Sequence, residues 1–324
     1  SALSSWSELT AILRSGLRAG VTPGMQAVVR SGERLIFAAA LGQTAPGGRM
    51  IDQDTRFDLA SLTKPLLTTA AWLRAWERGL DALDAELVPG ATVEDTLRHR
   101  AGFKAHTRLD RSLGQVRPGT RAAYRRAVEL AAQAPRGAPG PTVYSDLGFI
   151  LLGARVERLY GASLAALIPM FTPELSAPPM RADAAAASRG GEPGGWVHDD
   201  NARAMGGVAG HAGLFGAALG VDAIVWRMMC GPRSLREAAW GPPMTARGLG
   251  WDRATPGPLG TVPGWPSDTV GHLGYTGTSV WLVPSRGWSV TLLTNRTYFS
   301  EGPEPIRALR RAFHEAAHQV LLRS

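Results

Sequence analysis

The chain has 324 residues, of which 44% are hydrophobic and 19% charged, a composition that supports a sizeable core and excludes a disordered protein. A single cysteine, Cys230, excludes an internal disulfide framework and a structural zinc site built on cysteines. The balance of 35 Lys+Arg against 27 Asp+Glu gives +8, but the basic residues are scattered, with doublets at Arg125–Arg126 and Arg310–Arg311, so no nucleic-acid-binding stripe is predicted.

At the front of the chain, Leu9, Ile12, Leu13 and Leu17 recur at helical spacing and predict a helix over 7–18. Pro23 and Gly24 break it, and 25–30 and 34–41 read as two strands joined at Ser31–Gly32. A helical pattern over 61–80 ends at Gly79 and Asp81, and further helices are predicted over 92–99, 121–133 and 147–160, so 63–168 reads as mostly helical. Residues 172–195 are rich in Ala, Pro and Gly and predict a long loop, as does 231–264, which carries Trp240 and Trp251. The most apolar long stretch, 208–226, holds His211, Asp222 and several glycines and reads as buried loop and helix, so no membrane span is predicted. Strands return over 277–283 and 288–294 with a turn at 284–287, and Pro303 and Pro305 introduce a final helix over 306–322.

The expected architecture is α/β of the α+β type: an antiparallel sheet built from both chain ends, flanked by the terminal helices, with a mainly helical region packed against it. One domain is expected over 1–324, its sheet region at about 1–62 and 205–324 and its helical region at about 63–204. The chain opens on Ser1 rather than Met, which reads as trimming. The cytoplasm is the first expectation for compartment, a periplasmic or secreted location stays open, and so does the oligomeric state.

Several standard signatures are absent from the sequence: a G-x-S-x-G elbow, a G-x-x-x-x-G-K-[ST] phosphate loop and a strand-linked G-x-G-x-x-G. Gly207, Gly210 and Gly213 read as a tight loop or the small side of a helix. His314-Glu315-Ala316-Ala317-His318 matches H-E-x-x-H in letters, where two histidines on one helical face hold zinc and Glu315 acts as base. No third ligand follows in the six remaining residues, and Arg310, Arg311, His314 and His318 read as a solvated basic face, so no metal and no other cofactor is expected.

Ser61-Leu62-Thr63-Lys64 carries more weight. The spacing places a hydroxyl and an amine on one helical face, with Ser61 near a helix N-terminus. An amine can lose its proton and serve as base, which a guanidinium cannot. Lys64 and Lys104 are the two lysines of a chain that otherwise uses arginine, and Lys104 has Ala101 three residues earlier, so it offers no rival motif. The alternative at this point is a surface helix start with a solvated lysine.

The surrounding text, from Phe57 to Lys64, resembles the nucleophile motif of the penicillin-recognising serine hydrolases: the class C β-lactamases, family VIII carboxylesterases, D-aminopeptidases and DD-peptidases. Tyr144-Ser145-Asp146 resembles their Y-x-N element and His272-Leu273-Gly274 their K-T-G element, in the family's order. The resemblance implies a β-lactamase/DD-peptidase-like fold, with Ser61 as nucleophile and Lys64 and Tyr144 sharing the work of the base. It also implies an oxyanion hole from the backbone N–H groups of Ser61 and Tyr275, and substrate contacts at Asp146, His272 and Gly274. Two departures bear on substrate. Asp146 stands for Asn and, ionised, accepts but cannot donate a hydrogen bond; beside Lys64 it favours the ammonium and shifts the base role towards Tyr144. His272 stands for the Lys that holds a substrate carboxylate.

The expected activity is therefore acyl transfer through Ser61 on a small ester, amide or peptide, with weak or no β-lactamase activity. A genuine class C-type β-lactamase or DD-peptidase, and a non-catalytic acyl-trapping penicillin-binding module, are the alternatives. Residues 196–201 and His211 read either as the mouth of the site or as a loop held by Asx turns. Trp240 and Trp251 read as core rather than as walls of an acyl pocket.

Overall fold

A computed structural model describes residues 2–241, 247–254 and 264–324. Its centre is a six-stranded antiparallel sheet of β1 (Gly24–Ser31), β2 (Arg34–Gly42), β3 (Asp252–Arg253), β4 (Val270–Gly274), β5 (Thr278–Val283) and β6 (Trp288–Thr294), in the order β2-β1-β6-β5-β4-β3. The two ends of the chain meet at its middle, where Met25 of β1 pairs with Thr294 of β6 and Ser31 with Trp288.

Alternation along the strands feeds two cores. Met25, Ala27 and Val29 of β1, Trp281 and Val283 of β5, and Val290 and Leu292 of β6 face the terminal helices Ala2–Arg18 and Glu304–Leu322, against Leu9, Leu13, Phe313 and Val320. Val28, Val280, Leu282 and Leu293 point the other way, onto Leu62, Leu66, Trp72, Phe149 and Val225 of the helical region. The mixed α/β architecture expected from the sequence, with a sheet from both ends and helices between, is the one observed. Among the described residues no helix is long and apolar enough to cross a membrane.

The segment expected as one helix over 61–80 is a composite. It starts as a 3₁₀ turn at Ala60–Leu62, widens into a π-helix at Lys64–Thr69 and becomes α-helical at Ala70–Glu77. Pro65 has no N–H to give to the regular ladder, and single π turns are common at functional sites. Helix Asp146–Tyr160 starts at Ser145, whose side chain accepts a hydrogen bond from Gly148 N at 3.2 Å, and ends at Gly161 with φ 64°. Of the loop expected over 231–264, residues 242–246 and 255–263 lie outside the described residues, while Arg233–Trp240 is helical and Asp252–Arg253 is the edge strand.

The terminal helix corrects the expectation for its basic face. Arg311 and Glu315 are exposed, but Arg310, His314 and His318 are buried. The His314 Nδ1–H donates to Arg310 O at 2.7 Å, and His318 stacks on Trp265 with ring centroids 5.1 Å apart. Both histidine rings are buried in their neutral form, which avoids the far larger cost of burying a charge. Burial, the dominant effect, lowers His314 to about 4. Glu315 faces solvent while both histidines face inward, so the H-E-x-x-H letters do not assemble a zinc site.

Candidate active site

The turn that carries Ser61 is fixed from several directions. Phe57–Asp58 pairs with Phe215–Gly216, and Leu59 N donates to Leu214 O at 2.9 Å. Ala60 has φ 48°, a left-handed conformation that a residue with a Cβ rarely adopts. Asp58 holds it there: Oδ1 accepts from Ala60 N at 2.8 Å, while Oδ2 accepts from His198 N at 2.7 Å. Thr276 Oγ1 donates to Asp58 O at 2.7 Å and Thr278 Oγ1 to Leu59 O at 3.1 Å, which stitches the turn to the start of β5.

Lys64 lies fully buried beneath Ser61. Its Nζ is 2.9 Å from Ser61 Oγ, 2.7 Å from Tyr144 OH and 2.7 Å from Asp146 Oδ1, with His211 O at 3.4 Å. Burial alone would lower the lysine; Asp146 and Tyr144 outweigh it, and the amine is raised above its ordinary value. Burial likewise favours a neutral Asp146, but Lys64, with His106 and His211, holds that carboxyl well below the usual carboxylate range. The resting pair is therefore ammonium and carboxylate.

Tyr144 is fixed by its neighbours. His99 stands against its ring at 4.6 Å, and the Arg247 guanidinium lies over it at 5.2 Å. His99 has φ 57°, and its Nδ1 accepts from Ser145 N at 2.9 Å, which locks the residue after Tyr144. Burial first, then Arg247 and Lys64, keep His99 well below the ordinary imidazole value, so it is neutral.

The third motif forms the opposite wall. His272 is buried and donates from Nδ1 to Leu273 O at 2.8 Å; burial first, then Lys64 and Arg247, lower it to about 3. It therefore lacks the positive charge that a lysine would offer here. Gly274 lines the cavity, but its lack of a side chain answers mainly to the protein itself. A Cβ there would meet Thr278 Oγ1 at 2.0 Å, Leu59 O at 2.8 Å and the Ala60 Cβ at 3.3 Å. Glycine lets β4 sit against the nucleophile turn. The half-exposed Tyr275 follows it, with its hydroxyl donating to Glu301 O at 3.1 Å.

The two peptide units that precede Ser61 N and Tyr275 N share a feature. Ala60 O accepts from both Thr63 Oγ1, at 2.8 Å, and the Thr63 backbone N–H. Gly274 O accepts from Gly277 N at 3.0 Å and from Arg310 NH2 at 2.8 Å.

These residues surround one cavity of about 720 Å³, which Ser61, Tyr144, Asp146, His272, Gly274 and Tyr275 all line. The structure thus brings together every site residue expected from the sequence. His198, Asp199, Asp200 and His211 also line it, so the 196–201 segment contributes to the mouth. Trp240 and Trp251 do not; they pack edge to face at 5.9 Å in the core. Asp146, Asp199 and His211 bring ligand atoms within 4.8 Å of one another. A cation already serves this group, because Lys64 Nζ sits 2.7 Å from Asp146. His99, His106 and Arg247 were not expected at the site, and Arg310 was expected on a solvated face instead: each is joined to the site by contacts far apart in sequence.

Comparison with known proteins fits this geometry. A family-wide sequence profile described as Beta-lactamase matches residues 9–314. The chain belongs to the beta-lactamase family. This is a family of hydrolases, and the chain is similar to the N-acetylmuramyl-L-alanine amidase of Bacillus subtilis (strain 168), at 27% identity over 85% of this chain and 78% of that protein. Solved structures of the same fold include EstCE1, a hydrolase with promiscuous acyltransferase activity, at TM-score 0.74 and 21% identity, covering 96% of this chain and 99% of that one. SurE superposes with TM-score 0.74 at 23% identity over 98% and 77% of the two chains, and a class C beta-lactamase with 0.73 at 16% over 97% and 98%.

Proposed function

We propose that this member of the beta-lactamase family is a serine hydrolase that transfers an acyl group from an ester or amide to Ser61 and then to water. The observation that carries this reading is the contact chain on the cavity floor, Ser61 Oγ to Lys64 Nζ at 2.9 Å and Lys64 Nζ to Tyr144 OH at 2.7 Å. Tyr144 reacts as its phenolate, beside the Lys64 ammonium that stays paired with Asp146: it takes the Ser61 proton to become the phenol, and Ser61 Oγ bonds to the substrate carbonyl carbon. Ser61 N–H and Tyr275 N–H receive the developing oxyanion. On collapse the bond to the leaving group breaks, and that group departs with the proton held at Tyr144. A water molecule repeats the sequence on the acyl-enzyme, giving the free acid and Ser61. The cavity draws on both the sheet and the helical region, which supports treating residues 1–324 as one domain.

Neutral His272 disfavours the carboxylate of a β-lactam, and the relatives named as an amidase and as a hydrolase with acyltransferase activity support the amide and ester arms. The test is a hydrolysis panel of short-chain nitrophenyl esters, D-amino-acid amides and nitrocefin, run on the wild type and on Ser61→Ala. Esters or amides should turn over and nitrocefin hardly at all. A fluorophosphonate should label the wild type and not Ser61→Ala; labelling that survives the substitution overturns the mechanism. Single-turnover labelling without hydrolysis of any substrate would instead indicate an acyl trap.

A further inference from the structure

Arg310 is a buried cation that the acyl-transfer steps above leave unused. It projects from the helix Glu304–Leu322, lines the cavity and is 7% exposed. Among the described residues no carboxylate lies within ion-pair distance of it, and its Nε has no hydrogen-bond partner. A buried charge without a counter-ion is costly unless other polar groups compensate it. What it does meet is backbone: NH2 donates to Gly274 O and to Thr278 O, both at 2.8 Å.

Gly274 O and Tyr275 N belong to one peptide unit. That unit is trans, since the cis bond among the described residues is at Pro178–Pro179. In a trans peptide the carbonyl and the N–H point in opposite directions along one conjugated plane. Holding the carbonyl on a guanidinium therefore aims the N–H away from Arg310. It also draws electron density towards the oxygen and makes the N–H a stronger donor, since hydrogen bonds polarise one another through a shared group. Arg296 fixes the next unit in the same way, with Nε donating to Tyr275 O at 2.8 Å. The other proposed oxyanion donor, Ser61 N, has its carbonyl Ala60 O held by the neutral Thr63 hydroxyl and backbone N–H.

We infer that Arg310 is a positioning residue for the oxyanion hole: through the Gly274 carbonyl it orients and polarises the Tyr275 N–H that receives the developing negative charge. This rests on the serine acyl-transfer reading. It assigns the two oxyanion donors unequal strengths, with the charge-backed Tyr275 N–H the stronger. The role does not require Arg310 to touch substrate, so it applies equally to substrates that carry no charge.

The test uses Arg310→Lys and Arg310→Met with a neutral nitrophenyl butyrate. Infrared difference spectroscopy of the butyryl-enzyme, with a ¹³C-labelled carbonyl, gives a direct reading of the hole. Loss of a whole oxyanion donor costs about 10²–10³-fold in kcat, so weakening one should cost roughly tenfold with KM little changed. Lysine keeps the charge, but its amine ends one bond short of the guanidinium NH2 and cannot reach both carbonyls from the same backbone position, so both variants should show the loss. The acyl carbonyl stretch should move to higher frequency in each variant, because a weaker hole polarises the carbonyl less. An unmoved stretch in a folded, acylating variant overturns the inference. So does a loss seen only as a raised KM for carboxylate-bearing esters, which would make Arg310 a substrate anchor. Should neither variant fold, the wild type decides: its acyl carbonyl must absorb at lower frequency than the same ester in the denatured acyl-enzyme, and equal frequencies refute a strengthened hole. Failure of wild-type Ser61 to acylate at all would overturn the serine reading instead.

Discussion

The buried Lys64 and the partly buried Asp146 form an ion pair at 2.7 Å, with the lysine in direct contact with the Ser61 hydroxyl. Asp146 raises the lysine against the opposing effect of burial, so the ammonium persists over the working pH range. Replacing Asp146 with Asn removes that support while keeping the side chain's size. The burial effect then prevails and Lys64 loses its proton more readily. The alkaline limb of the pH profile for kcat/KM on a neutral ester, where Lys64 gives up the positive charge that Tyr144 works against, is expected to move to lower pH in Asp146→Asn, and an unmoved limb would separate the charge of Lys64 from the base function of Tyr144. This pairing was legible in the sequence, because a chain that writes its positive charge as arginine keeps Lys64 where an amine is needed and places Asp146 in the second motif. His99 and Arg310 were not legible. One acts by packing tilted against the Tyr144 ring, the other through backbone carbonyls, and neither kind of partner leaves a mark in a linear pattern.

The nucleophile turn, β4 and the start of β5 act as one element, held by Thr276, Thr278 and the missing side chain of Gly274. In Gly274→Ala the new Cβ would press on Leu59 O and the Ala60 Cβ, at 2.8 and 3.3 Å, and displace the residue that precedes Ser61. Overpacking of this kind costs about 1–3 kcal/mol, while a displacement near 1 Å at the reacting centre costs on the order of 10²-fold in rate. Activity should therefore fall far more than thermal stability does, as measured by a melting curve beside ester hydrolysis. Equal, small losses in both would mean that the turn relaxes freely. Strands and long helices were legible from their periods of 2 and 3.6. The π-helical stretch after Ser61 was not, since its extra residue per turn is stabilised by packing around Pro65 and Lys64 rather than by any propensity. The buried face of the last helix was misjudged for a related reason: Arg310, His314 and His318 look solvated until Trp265 and the sheet are seen to cover them.

At the scale of the molecule, buried neutral histidines set the response to acid. Burial lowers His272 to about 3 and His314 to about 4, and His99 also lies well below its ordinary value. In the unfolded chain each returns to about 6.5. Between those limits the unfolded state binds more protons, so stability falls as pH drops below about 6.5, by up to about 1.4 kcal/mol per pH unit for each histidine. Asp146, lowered in the folded state, adds its own loss only once pH falls below the ordinary carboxylate range. Urea midpoints measured from pH 7 to pH 4 should decline steadily, and His314→Asn should make the decline shallower; a flat series would contradict the buried neutral state. The meeting of β1 with β6 has a consequence in time. Met25 leaves the ribosome long before Thr294, its partner in the sheet. At ~5–20 residues per second the wait is on the order of ten seconds to a minute. Throughout it the apolar faces of β1 lack their central neighbour, and closing so long a loop comes late and slowly. The nascent chain must therefore be shielded until β6 emerges, and expression at lower temperature or with a holding chaperone should raise the soluble yield.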